Sequence, residues 1–235
     1  MNNGNKEFQN IFIINQHLLS HSKDQIILQS PLPLKTISSG VTNAGTGWYS
    51  TFVNRHVSKN YHSENHYEEM KRFLQQRGAR VEETVGMMTA VQLEDVCWGF
   101  YEEGSFSVFI VVTAGVSNAV DASMSDRHSF DQSPGTINIW VFVNGRVTEA
   151  ASIQGIMTAT EAKVKALEAH NVKDPVTGSG ATGTSTDSIL IASTEEGVLL
   201  EYAGTITPLG KRISKGVYEC TIHAISKYKK RVGAL

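Results

Sequence analysis

Residues 107–119 read Ser-Val-Phe-Ile-Val-Val-Thr-Ala-Gly-Val-Ser-Asn-Ala, and this stretch decides the fold class. Ser107 to Thr113 is rich in β-branched and aromatic side chains and carries no charge. Because apolar and polar residues do not alternate in it, the run fits a strand covered on both faces. Covering both faces takes a layer on each side of the sheet, so the stretch predicts a layered α+β domain. Gly115 then lets the chain turn, and Ser117 and Asn118 supply short hydrogen-bonding groups directly after the strand.

Downstream, Thr136 to Val143 reads as a second strand, followed by a turn at Asn144-Gly145. Thr148 caps a long helix from about Glu149 to His170. A loop of small residues, 177–187, leads into a strand from Ser188 to Ala192. Ile213, Val217, Cys220, Ala224, Ile225 and Tyr228 mark one face of a final helix that stops before Gly233.

Upstream, segments 11–19 and 25–30 form a hairpin, and Pro31-Leu32-Pro33 breaks its ladder before a short strand, Lys35 to Ser39. Asn65 caps a helix over 65–77, with Tyr67, Met70, Phe73 and Leu74 at helical spacing and Gly78 at its end. Val85 to Val91 is a further strand. No linker divides the chain, so residues 1–235 are read as one domain, the hairpin within 1–33 included. Its expected architecture is a mixed sheet packed by long helices.

The motif after the opening strand has an echo: Gly40-Val-Thr-Asn-Ala44 beside Gly115-Val-Ser-Asn-Ala119. A second pair, Gly86-Met-Met-Thr-Ala90 and Gly155-Ile-Met-Thr-Ala159, lies at nearly the same offset. Internal duplication is one reading, and chance likeness of small-residue turns after strands is the other.

Composition narrows the function. A net charge of −2 gives no global attraction to nucleic acid or to an anionic membrane. No apolar run reaches the length of a membrane span or of a signal-peptide core. Two cysteines in separate segments match no metal or redox spacing and suit a reducing compartment. A soluble cytoplasmic protein is expected, with homo-oligomerisation left open.

Three loops of Gly, Ser, Thr and Asn, at 39–47, 113–119 and 181–187, suggest one shared polar pocket suited to a ligand bearing many amides. A phosphate site is disfavoured, because Gly178 to Gly183 lacks the lysine of a phosphate-binding loop. Asp187, just before a buried strand, is the leading candidate base, with Glu161 and Lys163 next. Thr184, Ser185, Thr186 and Ser117 are candidate hydroxyl nucleophiles. His62 and His66 stand four apart, but no third ligand is evident and no metal is assigned. Asp126-Arg127-His128 lacks the glycine of a corrinoid-binding Asp-x-His-x-x-Gly motif, because position 131 is Asp.

Several ordered motifs resemble the adenosylcobinamide amidohydrolase family. They are Val112-Thr-Ala-Gly-Val-Ser-Asn-Ala119, Pro134-Gly-Thr-Ile-Asn-Ile139, Thr160-Glu-Ala-Lys163 and Ala181-Thr-Gly-Thr-Ser-Thr-Asp187. Val85–Val91 and Tyr202-Ala203-Gly204 fit as well, so the likeness spans roughly residues 34 to 220. Ser185 stands where the family pattern has glycine, and 120–133 lacks an Arg-Ala-Gly-Asp-like continuation; both bear on fine substrate specificity.

The resemblance implies hydrolysis of the amide joining the aminopropanol arm to the corrin ring of adenosylcobinamide. The products would be adenosylcobyric acid and 1-amino-2-propanol, in corrinoid salvage. No cofactor is implied, since the cobalt belongs to the substrate. On that reading Asp187 or Glu161 activates water or the Thr184 hydroxyl, and Lys163 protonates the leaving amine. Thr42, Asn43, Ser117, Asn118, Thr136, Asn138 and Thr186 contact the corrinoid, with Asn118 or Asn138 and loop amides holding the oxyanion. The competing readings are a non-catalytic corrinoid-binding or delivery protein, and an amidase for another amide-rich substrate that uses a hydroxyl nucleophile.

Overall fold

In the computed structural model, which describes residues 12–129 and 135–233, Phe106–Ala114 is a strand with every residue buried, as its uncharged run predicts. It is the sixth of twelve strands among the described residues: β1 (Leu19–His21), β2 (Gln25–Ser38), β3 (Gly45–His56), β4 (Thr84–Thr89), β5 (Cys97–Glu103), β6 (Phe106–Ala114), β7 (Ala119–Val120), β8 (Ile137–Asn144), β9 (Arg146–Val147), β10 (Gly183–Thr184), β11 (Ser188–Ser193) and β12 (Leu199–Leu200). Three α-helices accompany them: α1 (His66–Gln76), α2 (Glu149–Ala169) and α3 (Pro208–Val232). The main sheet runs β4-β3-β2-β11-β8-β6-β5, with β1 beside the first half of β2. Only β3–β4 and β8–β11 pair in parallel within it, so the sheet is mixed, as expected.

Alternate residues of β6 serve different cores. Ile110 and Val112 face α3, where Ile213, Val217, Cys220 and Ala224 form the expected apolar stripe. Phe109 and Val111 face the other way and meet Leu28, Phe52, Val85 and Met87 from the β2–β3–β4 wing. The sheet therefore curls until its wing covers its own centre. Phe52 and Phe142 pack edge to face at 5.0 Å, and the Trp140 indole donates to Met87 Sδ at 3.3 Å. Phe109 is fully buried, and truncating such a side chain to Ala typically costs about 3–5 kcal/mol. Outside the wing, Met70, Phe73 and Leu74 of α1 pack on Val53.

The helix ends form where the sequence signals them. Asn65, Thr148 and Thr207 accept hydrogen bonds from the third amide beyond each cap, and Gly233 ends α3 with φ 71°. The strand pattern needs three corrections. Pro31 and Pro33 do not end a strand: β2 is continuous, and the prolines fall where its register with β3 slips between Gln29 and Leu34. The first hairpin strand shrinks to Leu19–His21, because Asn144 takes both the amide and the carbonyl of Ile14 at 2.8 Å; Ile11 of that segment lies outside the described residues. Strands β3 and β5 escape the pattern: β3 opens with two glycines among hydroxyls, and β5 is a half-exposed edge.

The two pentapeptides fall at equivalent points of a repeated topology. A hairpin (β1–β2), Gly40–Ala44, then β3–α1–β4 with parallel outer strands is matched by β5–β6, Gly115–Ala119, then β8–α2–β11. In both halves the strand before the pentapeptide pairs antiparallel with the first strand of the βαβ unit. The other echo has no structural counterpart: Gly86–Ala90 runs along and just past β4, whereas Gly155–Ala159 lies in α2.

Candidate active site

At the end of the sheet where the pentapeptides lie, an open cleft of about 830 Å³ is lined from both halves of the chain. That is the upper part of the range for small-molecule sites. All three small-residue loops reach it, through Val41, through Ser117–Ala119 and through Ser185 and Thr186. Val57, Met88, Val120 and Val176 make parts of the wall apolar. Segments outside the three loops also contribute: Tyr61 and His66 around the start of α1, and Ser125, His128 and Ser129 after β7.

Of the expected ligand contacts, Ser117, Asn118, Thr136 and Thr186 line the cleft. Asn118 Nδ2 donates to Ser185 Oγ at 2.9 Å, and a Cβ at Gly135 would fall 2.2 Å from Asn118 Oδ1. A side chain at 135 would therefore have to displace those of Asn118 and Ser117; Pro134 of the same motif lies outside the described residues. The Thr136 hydroxyl donates to the Thr186 carbonyl at 2.7 Å, and that of Thr186 to the Gly135 carbonyl at 2.9 Å, tying two walls together.

Thr42, Asn43 and Asn138 are placed differently. The Thr42 hydroxyl donates to the Thr84 carbonyl, and Asn43, at φ 54°, donates to the carbonyls of Val81 and Thr84 at 2.6 and 2.8 Å. In the first half of the chain the pentapeptide thus anchors the segment entering β4, much as Asn118 reaches the loop entering β11. Asn138 is buried beneath the cleft, donating to Asn54 Oδ1 and the Met88 carbonyl, while Asn54 donates to the Thr113 hydroxyl. This polar group cross-links the curled sheet, and leaving one member unpaired would cost about 1–3 kcal/mol.

None of Asp187, Glu161, Thr184 and Lys163 lines the cleft. Asp187 and Lys163 form an ion pair of 2.6 Å with side chains 13% and 8% exposed. The Asp187 carboxylate also accepts from the amides of Ile137 and Thr184 and from the Thr184 hydroxyl. With these four donors the carboxylate ties the loop carrying Ser185 and Thr186 to β8 and α2. A Cβ at Gly183 would lie 2.6 Å from Asp187 Oδ2 and 2.8 Å from Lys163 Nζ, so glycine is what admits the pair. Glu161 is exposed on α2, outside the cleft.

The structure adds a pair that the sequence did not suggest. His128 lines the cleft, and its Nε2 lies 2.8 Å from Oδ2 of Asp174, which is completely buried. Asp174 also accepts from the amides of Asp121, Val176 and Thr177. Burial opposes its ionisation, but those amides and the His128 ring outweigh burial and hold its carboxyl well below the usual carboxylate range. The signal available was Asp174-Pro175, a turn-forming dipeptide whose aspartate bonds the next amides; nothing local tied it to residue 128.

A second network stands on the cleft wall. Tyr61 donates to Glu69 at 2.9 Å, His66 Nδ1 lies 3.2 Å from the Tyr61 hydroxyl, and Arg55 pairs with Glu69 at 2.9 Å. Burial and the Glu69 carboxylate raise the Tyr61 hydroxyl above its ordinary range. Among the described residues no three His, Cys, Asp or Glu side chains are grouped to hold a metal ion, and none of the helices there is long and apolar enough to cross a membrane.

Comparison with known proteins bears on what this cleft does. An adenosylcobinamide amidohydrolase of Methanosarcina mazei is 28% identical over 206 residues, covering 84% of this chain and 92% of that protein. YvrA of Bacillus subtilis, described as an uncharacterized ABC transporter ATP-binding protein, is 26% identical over 90% of this chain. The chain spans 39% of that relative's length. Among solved structures, the PH0078 protein of Pyrococcus horikoshii aligns with 91% of this chain and 80% of its own, at a TM-score of 0.44 and 9% identity. A family model described as adenosylcobinamide amidohydrolase matches residues 11–233, and on that match the chain belongs to this family of amidohydrolases.

Proposed function

We propose that the cleft binds adenosylcobinamide and hydrolyses the amide of its aminopropanol arm, releasing adenosylcobyric acid and 1-amino-2-propanol. The observation that carries the reading is the lining of the cleft: hydroxyls and amides of Ser117, Asn118, Thr136, Ser185 and Thr186 beside apolar walls. A corrin ring is an apolar macrocycle fringed with amides, and such a surface complements it. The cobalt arrives with the substrate. Asn118 lines the cleft and is our candidate oxyanion donor; one such donor typically lowers the barrier by about 3–4 kcal/mol. The Lys163–Asp187–Thr184 clamp acts by fixing Ser185 and Thr186, so its role is positional.

The test is incubation of the purified chain with adenosylcobinamide, followed by chromatography and mass analysis of the corrinoid. Equal amounts of corrinoid carboxylate and free aminopropanol are expected. Tight binding with no product would replace the reading by that of a corrinoid-binding or delivery protein. Turnover of other amides but not of this one would point to a different amide-rich substrate.

A further inference from the structure

Resting on the amide-hydrolysis reading, we infer that His128 is the general base of the reaction and that Asp174 is its positioning residue. A water attacking an amide carbonyl must lose a proton, and the leaving amine must gain one. The carboxylate at 187 is saturated by four donors, one of them a lysine, and Glu161 lies outside the cleft. His128 is on the cleft wall with a partly exposed ring, and one of its nitrogens is already committed to a buried carboxylate.

The geometry sets the tautomer. Asp174 is an acceptor, so in the neutral ring the Nε2 hydrogen is the one donated to Oδ2, and Nδ1 carries the lone pair. Among the described residues Nδ1 has no hydrogen-bond partner. The ring cannot swing freely, because Asp174 is itself held by the amides of Asp121, Val176 and Thr177. Nδ1 takes a proton from water as the oxygen bonds to the carbonyl carbon. The tetrahedral intermediate then collapses, the C–N bond breaks, and the Nδ1 proton passes to the departing nitrogen. The immediate products are a carboxylic acid and an amine, which end as carboxylate and ammonium once the acid's proton passes to the amine; His128 is neutral again, and Asp174 never changes its charge.

Asp174 is the nearest charge to His128. Asp121 lies behind it, bound to Ser179 and Ser123, and Asp126 and Arg127 precede the ring in sequence. His66, Tyr61 and Glu69 stand elsewhere around the cleft. An activity profile that titrates with one group is therefore assignable only by comparing variants.

The experiment measures corrinoid binding, kcat and its pH profile for the wild type, His128→Gln, Asp174→Asn and His66→Gln. For His128→Gln, kcat should fall about 10²–10⁴-fold, with corrinoid affinity and thermal midpoint within a small margin of the wild type. The acidic limb of the wild-type profile should vanish from the residual activity of this variant and survive in His66→Gln. Asp174→Asn should lower kcat and displace that limb; if it fails to fold, His128→Gln decides alone. Wild-type kcat in His128→Gln would overturn the inference, and so would a loss expressed only in KM. A wild-type chain that binds corrinoid without cutting it would instead sink the amide-hydrolysis reading, and this inference with it.

Discussion

Replacing Lys163 by Met removes a cation and keeps a side chain of similar length on the buried face of α2. Its partner Asp187 then loses its cation in a site where the two side chains are only 8% and 13% exposed. Removing one member of such a pair typically costs about 3–5 kcal/mol, far more than the ~0–1 kcal/mol of an exposed pair such as Lys165–Glu168. For a chain of this length each kcal/mol moves the midpoint by about 2–4 °C, so the expected fall in Tm is roughly 6–20 °C. The Lys163→Met/Asp187→Asn double variant removes the stranded charge and keeps an oxygen to accept from the Ile137 amide at 3.0 Å. It should recover a substantial part of the loss. Scanning calorimetry of both variants decides the matter. A Tm within about 2 °C of the wild type for Lys163→Met, or a double variant no better than the single, would refute the view that this pair holds the loop.

The Gly183→Ala variant should lose about 1–3 kcal/mol in urea unfolding, because its Cβ would press on Asp187 Oδ2 and Lys163 Nζ at 2.6 and 2.8 Å; unchanged stability would contradict that packing. Burial raises the thiols of Cys97 and Cys220, the latter to about 12. Native protein at pH 8 should therefore react negligibly with a disulfide reagent, and denatured protein should react at both thiols; fast native labelling would count against the α3 packing. Asp174 and Asp121 have lowered folded values, so their contribution is present above the ordinary aspartate value, about 3.9. Stability should fall as pH drops below about 4, and less steeply in Asp174→Asn. An acid-series unfolding curve whose descent is the same in that variant would argue against the assignment.

What could be read from the sequence follows how local each signal is. The central strand declared itself because nine consecutive buried residues leave no polar face to hide, and the helices did so because Asn65, Thr148 and Gly233 act within one turn. Strand β3 was invisible, since its pairing with β2 and β4 supplies the order that Gly45-Thr46-Gly47 lacks locally. The same division holds in the cleft. Ser117, Asn118, Thr136 and Thr186 sit in contiguous motifs and could be found from them. Thr42 and Asn43 bear an almost identical motif yet spend their polar atoms on backbone carbonyls, which no spacing could reveal. His128 and Asp174 are brought together only by the tertiary fold.

The repeated topology gives the pentapeptides a reason. In each half the motif follows one strand and leads toward the βαβ unit, and its asparagine holds the segment entering the last strand of that unit. In the first half the partners are carbonyls, which take the Nδ2 hydrogens of Asn43. In the second the partner is the Ser185 hydroxyl on the cleft wall, and the anchor has become part of a binding surface.

The central claim is that this cleft holds the corrinoid with its scissile amide at His128. The most direct measurement is a crystal structure of the chain with adenosylcobyric acid bound. The ring is expected against Ser117, Asn118 and Thr186, with the newly formed carboxylate within hydrogen-bonding reach of His128. A corrinoid seated elsewhere, or one whose carboxylate faces Asp187 and Lys163 with His128 remote from it, would rule out His128 as the base.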